Sequence, residues 1–420
     1  MCLGFLLGSG LYVGDASAQP SLLIVSQDGE DTPHSYATSI SGDGRTVAGF
    51  VIGSPGIRAF RWDADSGLVL LEPATQDSNE QGTPFALSAD GSVVVGFSAI
   101  AGFPSAVMWD DLGAVAELGT LGIDPDSNLD YSSVYACDAT GTVLVGITSS
   151  PDGQEAFRWT EGTGLVGLGG LASTAPYRSE AVGISTETGA ILGESLDDDS
   201  KSRLFRWTEI DGMVELERAG FDELSVNDAS PGATAMTGGA RTGPDERPVA
   251  FVWHEDAGVT DIPLPPESNT AFGFGVSDDG ASVVGRYEPA PTAPGTSGFF
   301  WTPTLGTVDF NDYCVSTLGI DPGDWILYPE DMDASGGVIV GAARLHPNGS
   351  QFALAEAAFV LDLDLPCPAD LTGEGDVNFF DLVEFITRFN ANDPRADLDT
   401  NGVLNFFDIA AYLGLFSDCV

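Results

Sequence analysis

The 420-residue chain carries 63 acidic side chains against 15 basic ones, a formal charge of −48, and its 43% apolar content can fill one large domain or two to three smaller ones. A field of that sign repels phosphate backbones and anionic headgroups, so nucleic acid and membrane surfaces are poor partners. No stretch approaches the roughly 18 apolar residues that span a bilayer, so no transmembrane segment is expected.

The first residues, "MCLGFLLGSGLYVGDASAQP", combine a short apolar run with Ala16-Ser17-Ala18. They predict a secretory signal over 1–18, without the usual basic start; a buried first strand is the alternative. Export places the chain outside the cell or on its surface, where cysteines can pair. Cys367 and Cys419 bracket the C-terminal segment and are expected to form a disulfide, whereas Cys137 and Cys314 either pair or stay buried as small hydrophobes.

A repeat then occupies most of the chain. "SISGDGRTVAGF" (39–50) recurs as "ALSADGSVVVGF" (86–97), "ACDATGTVLVGI" (136–147), "GISTETGAILGE" (183–194), "GVSDDGASVVGR" (275–286) and "DMDASGGVIVGA" (331–342), with a degraded copy over 226–239. Each is followed by a strand of the type "AFRW", ending at Trp62, Trp109, Trp159, Trp207, Trp253 and Trp301, and at Leu361 in the seventh copy. Successive tryptophans are 47, 50, 48, 46 and 48 residues apart by subtraction of their positions. Each unit offers four short strands, apolar on both faces and punctuated by Asp-Gly turns. Four strands at this period predict a β-propeller blade, and seven copies predict a seven-bladed ring over 19–366, with 21–27 as a strand completing the last blade. An open β-solenoid of the same repeats is the rival.

The alternation of "S-x-D-G-x-x-V-x-G" with "A-F-x-W" resembles the HAF family of extracellular bacterial repeats over about residues 36–365. The His that precedes "AF" in that family is replaced here by Arg58, Glu155 and Val249. The resemblance implies export and a repeat scaffold, without a chemistry.

Within the repeats Asp43, Asp90 and Asp279 precede glycine at one repeated position, the pattern of a turn-forming residue. One tryptophan per unit reads as core between blades, or alternatively as a sugar-stacking surface. His254-Glu255 and His346 are the irregular residues, and both fall in turns after strands. No phosphate-cradling loop, zinc spacing or nucleophile elbow is present, so no catalytic residue is assigned and the chain leans away from an enzyme.

The tail, 367–420, contains "DLTGEGDVNFFD" (370–381) and "DLDTNGVLNFFD" (397–408). Twelve-residue Ca²⁺ loops take oxygens from positions 1, 3, 5, 7 through a carbonyl, 9 and 12, with Gly at 6. The first copy supplies Asp370, Thr372, Glu374, Asp376, Asn378 and Asp381; the second supplies Asp397, Asp399, Asn401, Val403, Asn405 and Asp408. Two Ca²⁺ sites are therefore expected, the first the weaker. Each loop enters an amphipathic helix, and Phe380, Val383, Ile386 and Phe407, Ala410, Leu413 are expected to form the faces that pack together.

This tail resembles a type I dockerin, the duplicated Ca²⁺-dependent module that docks onto cohesins, in a Cys-bracketed form. The resemblance implies a cohesin-like or cell-envelope partner. The loop positions that set partner choice in that family carry Phe379, Phe380, Phe406 and Phe407 here, in place of small hydroxyl residues. The whole reads as a secreted or surface propeller, monomeric and non-catalytic, attached through its tail. A polysaccharide-active enzyme delivered by the tail and a lectin-like propeller are the alternatives.

Overall fold

The computed structural model describes residues 20–25, 34–53, 56–74, 81–100, 103–243, 246–264, 268–288, 296–346, 355–363, 379–390, 396, 398 and 404–418. The segment 1–18 lies outside these residues.

The first repeat becomes the antiparallel strands Ser35–Ile40, Thr46–Ile52, Ile57–Asp63 and Gly67–Leu70, each bonded to the next. The second (Gly82–Leu87 through Val115–Gly119), fifth (Glu223–Ala229 through Gly258–Asp261) and sixth (Thr270–Val276 through Gly306–Asp309) copies do the same. The third (Ser132–Cys137 through Gly164–Gly167) and fourth (Tyr177–Ile184 through Gly212–Glu215) share one eight-stranded sheet, because Gly153–Gln154 pairs in parallel with Tyr177–Arg178. The last copy supplies Trp325–Met332, Val338–Leu345 and Ala355–Asp362, and its outer strand is Ser21–Val25, antiparallel to Ala355–Asp362. Among the described residues five four-stranded sheets and one eight-stranded sheet stand where seven separate ones are expected.

First and last repeats meet. The Ile40 N–H donates to Asp331 Oδ2 at 3.0 Å, the Ala358 N–H donates to Ser35 Oγ at 2.9 Å, and His34 bridges to Glu356. An open solenoid keeps its ends apart and makes contacts only between neighbours, so these bonds overturn that alternative. The fold is a closed all-β propeller.

The core lies between adjacent sheets. Ala48 and Ala59 of the first repeat pack with Val94, Val107 and Trp109 of the second, and Trp253 and Trp301 occupy the matching places further on. Trp62, Trp159 and Trp207 pack against similar clusters. Large aromatics at a fixed repeat position fill the space between sheets, with Trp109, Trp253 and Trp301 buried and Trp62, Trp159 and Trp207 partly buried.

The glycine that ends each β-branched run has a steric cause. A Cβ on Gly49, Gly96, Gly146, Gly193, Gly238, Gly285 or Gly341 would lie 1.9 to 2.1 Å from a carbonyl oxygen of the strand before it. That carbonyl is pushed inward by a bulge in every innermost strand, between Ala37 and Ser39 in the first repeat and between Pro329 and Asp331 in the last. A bulge inserts one residue and re-aims its side chain.

The described residues beyond Leu363 form a second compact unit. Helices Phe379–Asn390 and Phe406–Asp418 bury Phe385 and Tyr412, whose rings stack 4.2 Å apart, among Leu382, Phe389, Ala396 and Ile409. The packing faces expected from the sequence are corrected here: Val383, Ile386 and Leu413 are 43%, 47% and 48% exposed. Each helix carries apolar residues on two faces, and the one holding the large ring of Phe385 or Tyr412 goes inward because it removes more area from water.

Candidate ligand site on the ring axis

The bulge places one extra residue per repeat: Thr38, Phe85, Tyr135, Val182, Asn227, Phe274 and Glu330. All seven line one cavity of about 390 Å³, together with Glu180, Val226, Asp228 and Asp331. Because every innermost strand contributes, the cavity sits on the ring axis, and its volume is that of a small-molecule site.

The repeats are not equivalent there. The residue after the bulge is Ser39, Ala86, Ala136, Gly183 and Gly275 in five copies, and an aspartate, Asp228 or Asp331, in the other two. Gly275 lies on the repeat between the two aspartates, and a Cβ on it would stand 2.8 Å from Asp331 Cα. The missing side chain lets the two carboxyls face each other across that repeat.

Burial dominates the electrostatics. It pushes the Asp228 carboxyl well above the usual carboxylate range, and the neighbouring Asp331 charge adds to it. Asp228 Oδ2 is a buried atom without a hydrogen-bond partner. Asp331 is raised to about 6, chiefly by burial, against the N–H bonds it accepts from Ile40 and Met332. Burial and then Glu194 raise Glu180 to about 7. Glu194 itself is raised by burial although its Oε2 accepts from the Val226 N–H at 2.7 Å. Glu330 is raised to about 7 by burial, opposed by Arg286 and Arg344. Arg286 pairs with Glu330 and lies over the rings of Phe274 and Tyr328 at 5.3 and 5.5 Å. On the opposite side Phe85 and Tyr135 meet edge to face at 5.3 Å.

The residues singled out from sequence fall elsewhere. Asp43, Asp90 and Asp279 each accept from the serine two residues before and from the N–H two residues after, so they hold turns. His254 ends its strand, with Nδ1 accepting from the Asp256 N–H. Cys137 and Cys314 are buried free thiols; burial pushes Cys314 up to about 12 and Cys137 higher still. Cys367, Cys419, Asp370, Thr372, Glu374, Asp376, Asn378, Asp397, Asp399, Asn401 and Val403 lie outside the described residues, as do the side chains of Phe380 and Phe407. Phe379 and Phe406 are exposed at equivalent helix starts.

Asp381 and Asp408, the twelfth residues of the two loops, are both fully buried. Asp408 accepts from the Leu398 N–H at 2.9 Å and from the Asn405 N–H at 2.7 Å. A carboxylate is the residue type that a twelve-residue Ca²⁺ loop uses at its last position.

None of the axial acids was singled out in the sequence. The available signal was the departure of "VNDASPG" and "PEDMDASG" from the repeat consensus.

No protein-family model and no curated protein matches the chain. Among solved structures it is similar to an oligogalacturonate lyase in complex with manganese, at 11% identity over 83% of this chain and 98% of that one, TM-score 0.52. An oligogalacturonate lyase from Vibrio parahaemolyticus is 10% identical over 82% and 97%, TM-score 0.51. The β-propeller domain of the trilobed protease from Pyrococcus furiosus is 10% identical over 79% and 95%, TM-score 0.50. Likeness at these identities is one of fold, and the class defined is a β-propeller with an acidic, aromatic-lined axial pocket.

Proposed function

We propose that the chain is an exported, non-catalytic binding propeller of seven blades, each half of the eight-stranded sheet counting as one. A calcium-loaded, dockerin-like module at 367–420, clasped by Cys367–Cys419, fixes it to a cohesin-like protein of the cell envelope. The observation that carries this reading is a duplicated apolar stripe. Phe379, Val383 and Ile386 on one helix, and Phe406, Ala410 and Leu413 on the other, stay exposed at matching positions while each helix buries a different face. Exposed apolar surface that the core does not need marks an interaction site. The buried Asp381 and Asp408 support Ca²⁺ at the base of both stripes, and Ca²⁺ when bound holds the loops folded.

The test is capture of envelope and secreted proteins on the immobilised full chain, in Ca²⁺ and in chelator. One discrete partner is expected in Ca²⁺ alone, lost in a Val383→Ser, Ile386→Ser, Leu413→Ser variant. Capture indifferent to both treatments sinks the docking reading.

A second reading, a polysaccharide-active enzyme delivered by the same tail, is favoured by Asp228 and Asp331 sharing the axial cavity. An acid and a base held apart in environment are what such chemistry uses. Release of reducing ends from envelope polysaccharide, abolished by Asp228→Asn, would establish it.

A further inference from the structure

The axial cavity combines features that constrain its occupant independently of how the chain is attached. Its lining includes four carboxyl groups and no cationic side chain; Arg286 stands beside it, already paired with Glu330 and covered by two rings. An anionic ligand would find no free cation in the lining and would be opposed by the −48 field of the whole chain. A bare metal ion needs three or more donors converging within bonding reach, and no such group of His, Cys, Asp or Glu occurs among the described residues. The four carboxyls share the lining of a space of about 390 Å³ with the aromatic side chains of Phe85, Tyr135 and Phe274.

We propose that this cavity binds a small organic ammonium ion, its charged head among Glu180, Asp228 and Asp331 and its alkyl groups against Phe85, Tyr135 and Phe274. Ring faces attract a weakly hydrated cation through their quadrupole, and nearby carboxylates supply the countercharge. The unpartnered Asp228 Oδ2 is a buried acceptor that the fold itself does not use. The asymmetry of the repeats points the same way, because five copies place a small residue where two place aspartate. No packing requirement common to the ring selects those two.

Binding is coupled to ionisation. Asp228 faces Asp331; Asp331 faces Asp333; Glu180 faces Glu194; Glu330 faces Arg286, Arg344 and Asp331. Burial and mutual repulsion hold protons on these groups near neutrality, and a cation seated among them displaces those protons. Affinity therefore rises with pH through the range about 6 to 7.

The experiment is calorimetric titration of the full chain in Ca²⁺ with choline, with spermidine, with the neutral choline isostere 3,3-dimethylbutan-1-ol and with cellobiose, at about pH 5 and about pH 8. Choline or spermidine should bind with one saturable site, at least about tenfold tighter than the neutral isostere. Binding should strengthen at the higher pH and weaken about tenfold or more in Asp228→Asn and in Glu180→Gln, two near-isosteric changes that remove charge from different repeats. Equal binding of the neutral isostere, binding of cellobiose alone, or silence from both cations overturns the proposal. Attachment through the tail is read separately in the capture experiment, so either reading can fail without the other.

Discussion

Asp331 serves the seam and the cavity at once: one oxygen accepts the Ile40 N–H that joins last repeat to first, and its side chain lines the axis. Its carboxyl, like those of Glu180 and Glu330, titrates above the range it would have in an unfolded chain. The folded state then keeps protons that the unfolded state has released. These groups cost nothing below the ordinary carboxylate pKa of about 4 and destabilise the ring as pH rises to about 6 and 7. Asp90, Asp124 and Asp197, held low by hydrogen bonds, act oppositely, and their contribution is lost only on acidification below about 4. The ring should melt at a higher temperature at about pH 5.5 than at about pH 8 by calorimetry, and Glu180→Gln should shrink the difference. The turn aspartates were legible in the sequence because Asp before Gly is a local signal. Asp228 and Asp331 were not, because a strand alternates its side chains and only the bulge lets neighbours such as Glu330 and Asp331 line one cavity.

At the scale of elements, Ser21–Val25 joins a sheet whose other strands all come from the last repeat, and Val25 is buried against Ile40, Val47 and Val340. Val25→Asp places an unpaired carboxylate in that cluster. A loss of about 3 kcal/mol or more is expected in urea unfolding, as a lower midpoint with cooperativity reduced. In the tail, Phe385→Ala removes the ring stacked on Tyr412 and should cost about 3 to 4 kcal/mol in that unit. Val383→Ser, on the exposed face of the same helix, should leave its circular dichroism unchanged. The periodicity of the helices was legible, but two apolar stripes compete on each, and only packing decides that Phe385 rather than Val383 goes inward.

For the molecule as a whole, two compact units imply two transitions. Chelation should lower the melting of the tail alone and leave the ring unmoved; a single transition shifted as one by chelator would contradict this. The ring's closure also has a consequence for biosynthesis. Ser21 pairs with Asp362, 341 positions later by subtraction. At about 5 to 20 residues per second Ser21–Val25, once made, waits on the order of tens of seconds for its partner. During that wait its edge offers free backbone groups to any passing strand. Synthesis therefore passes through a long, unclosed nascent stage, in which a bound chaperone would guard the edge.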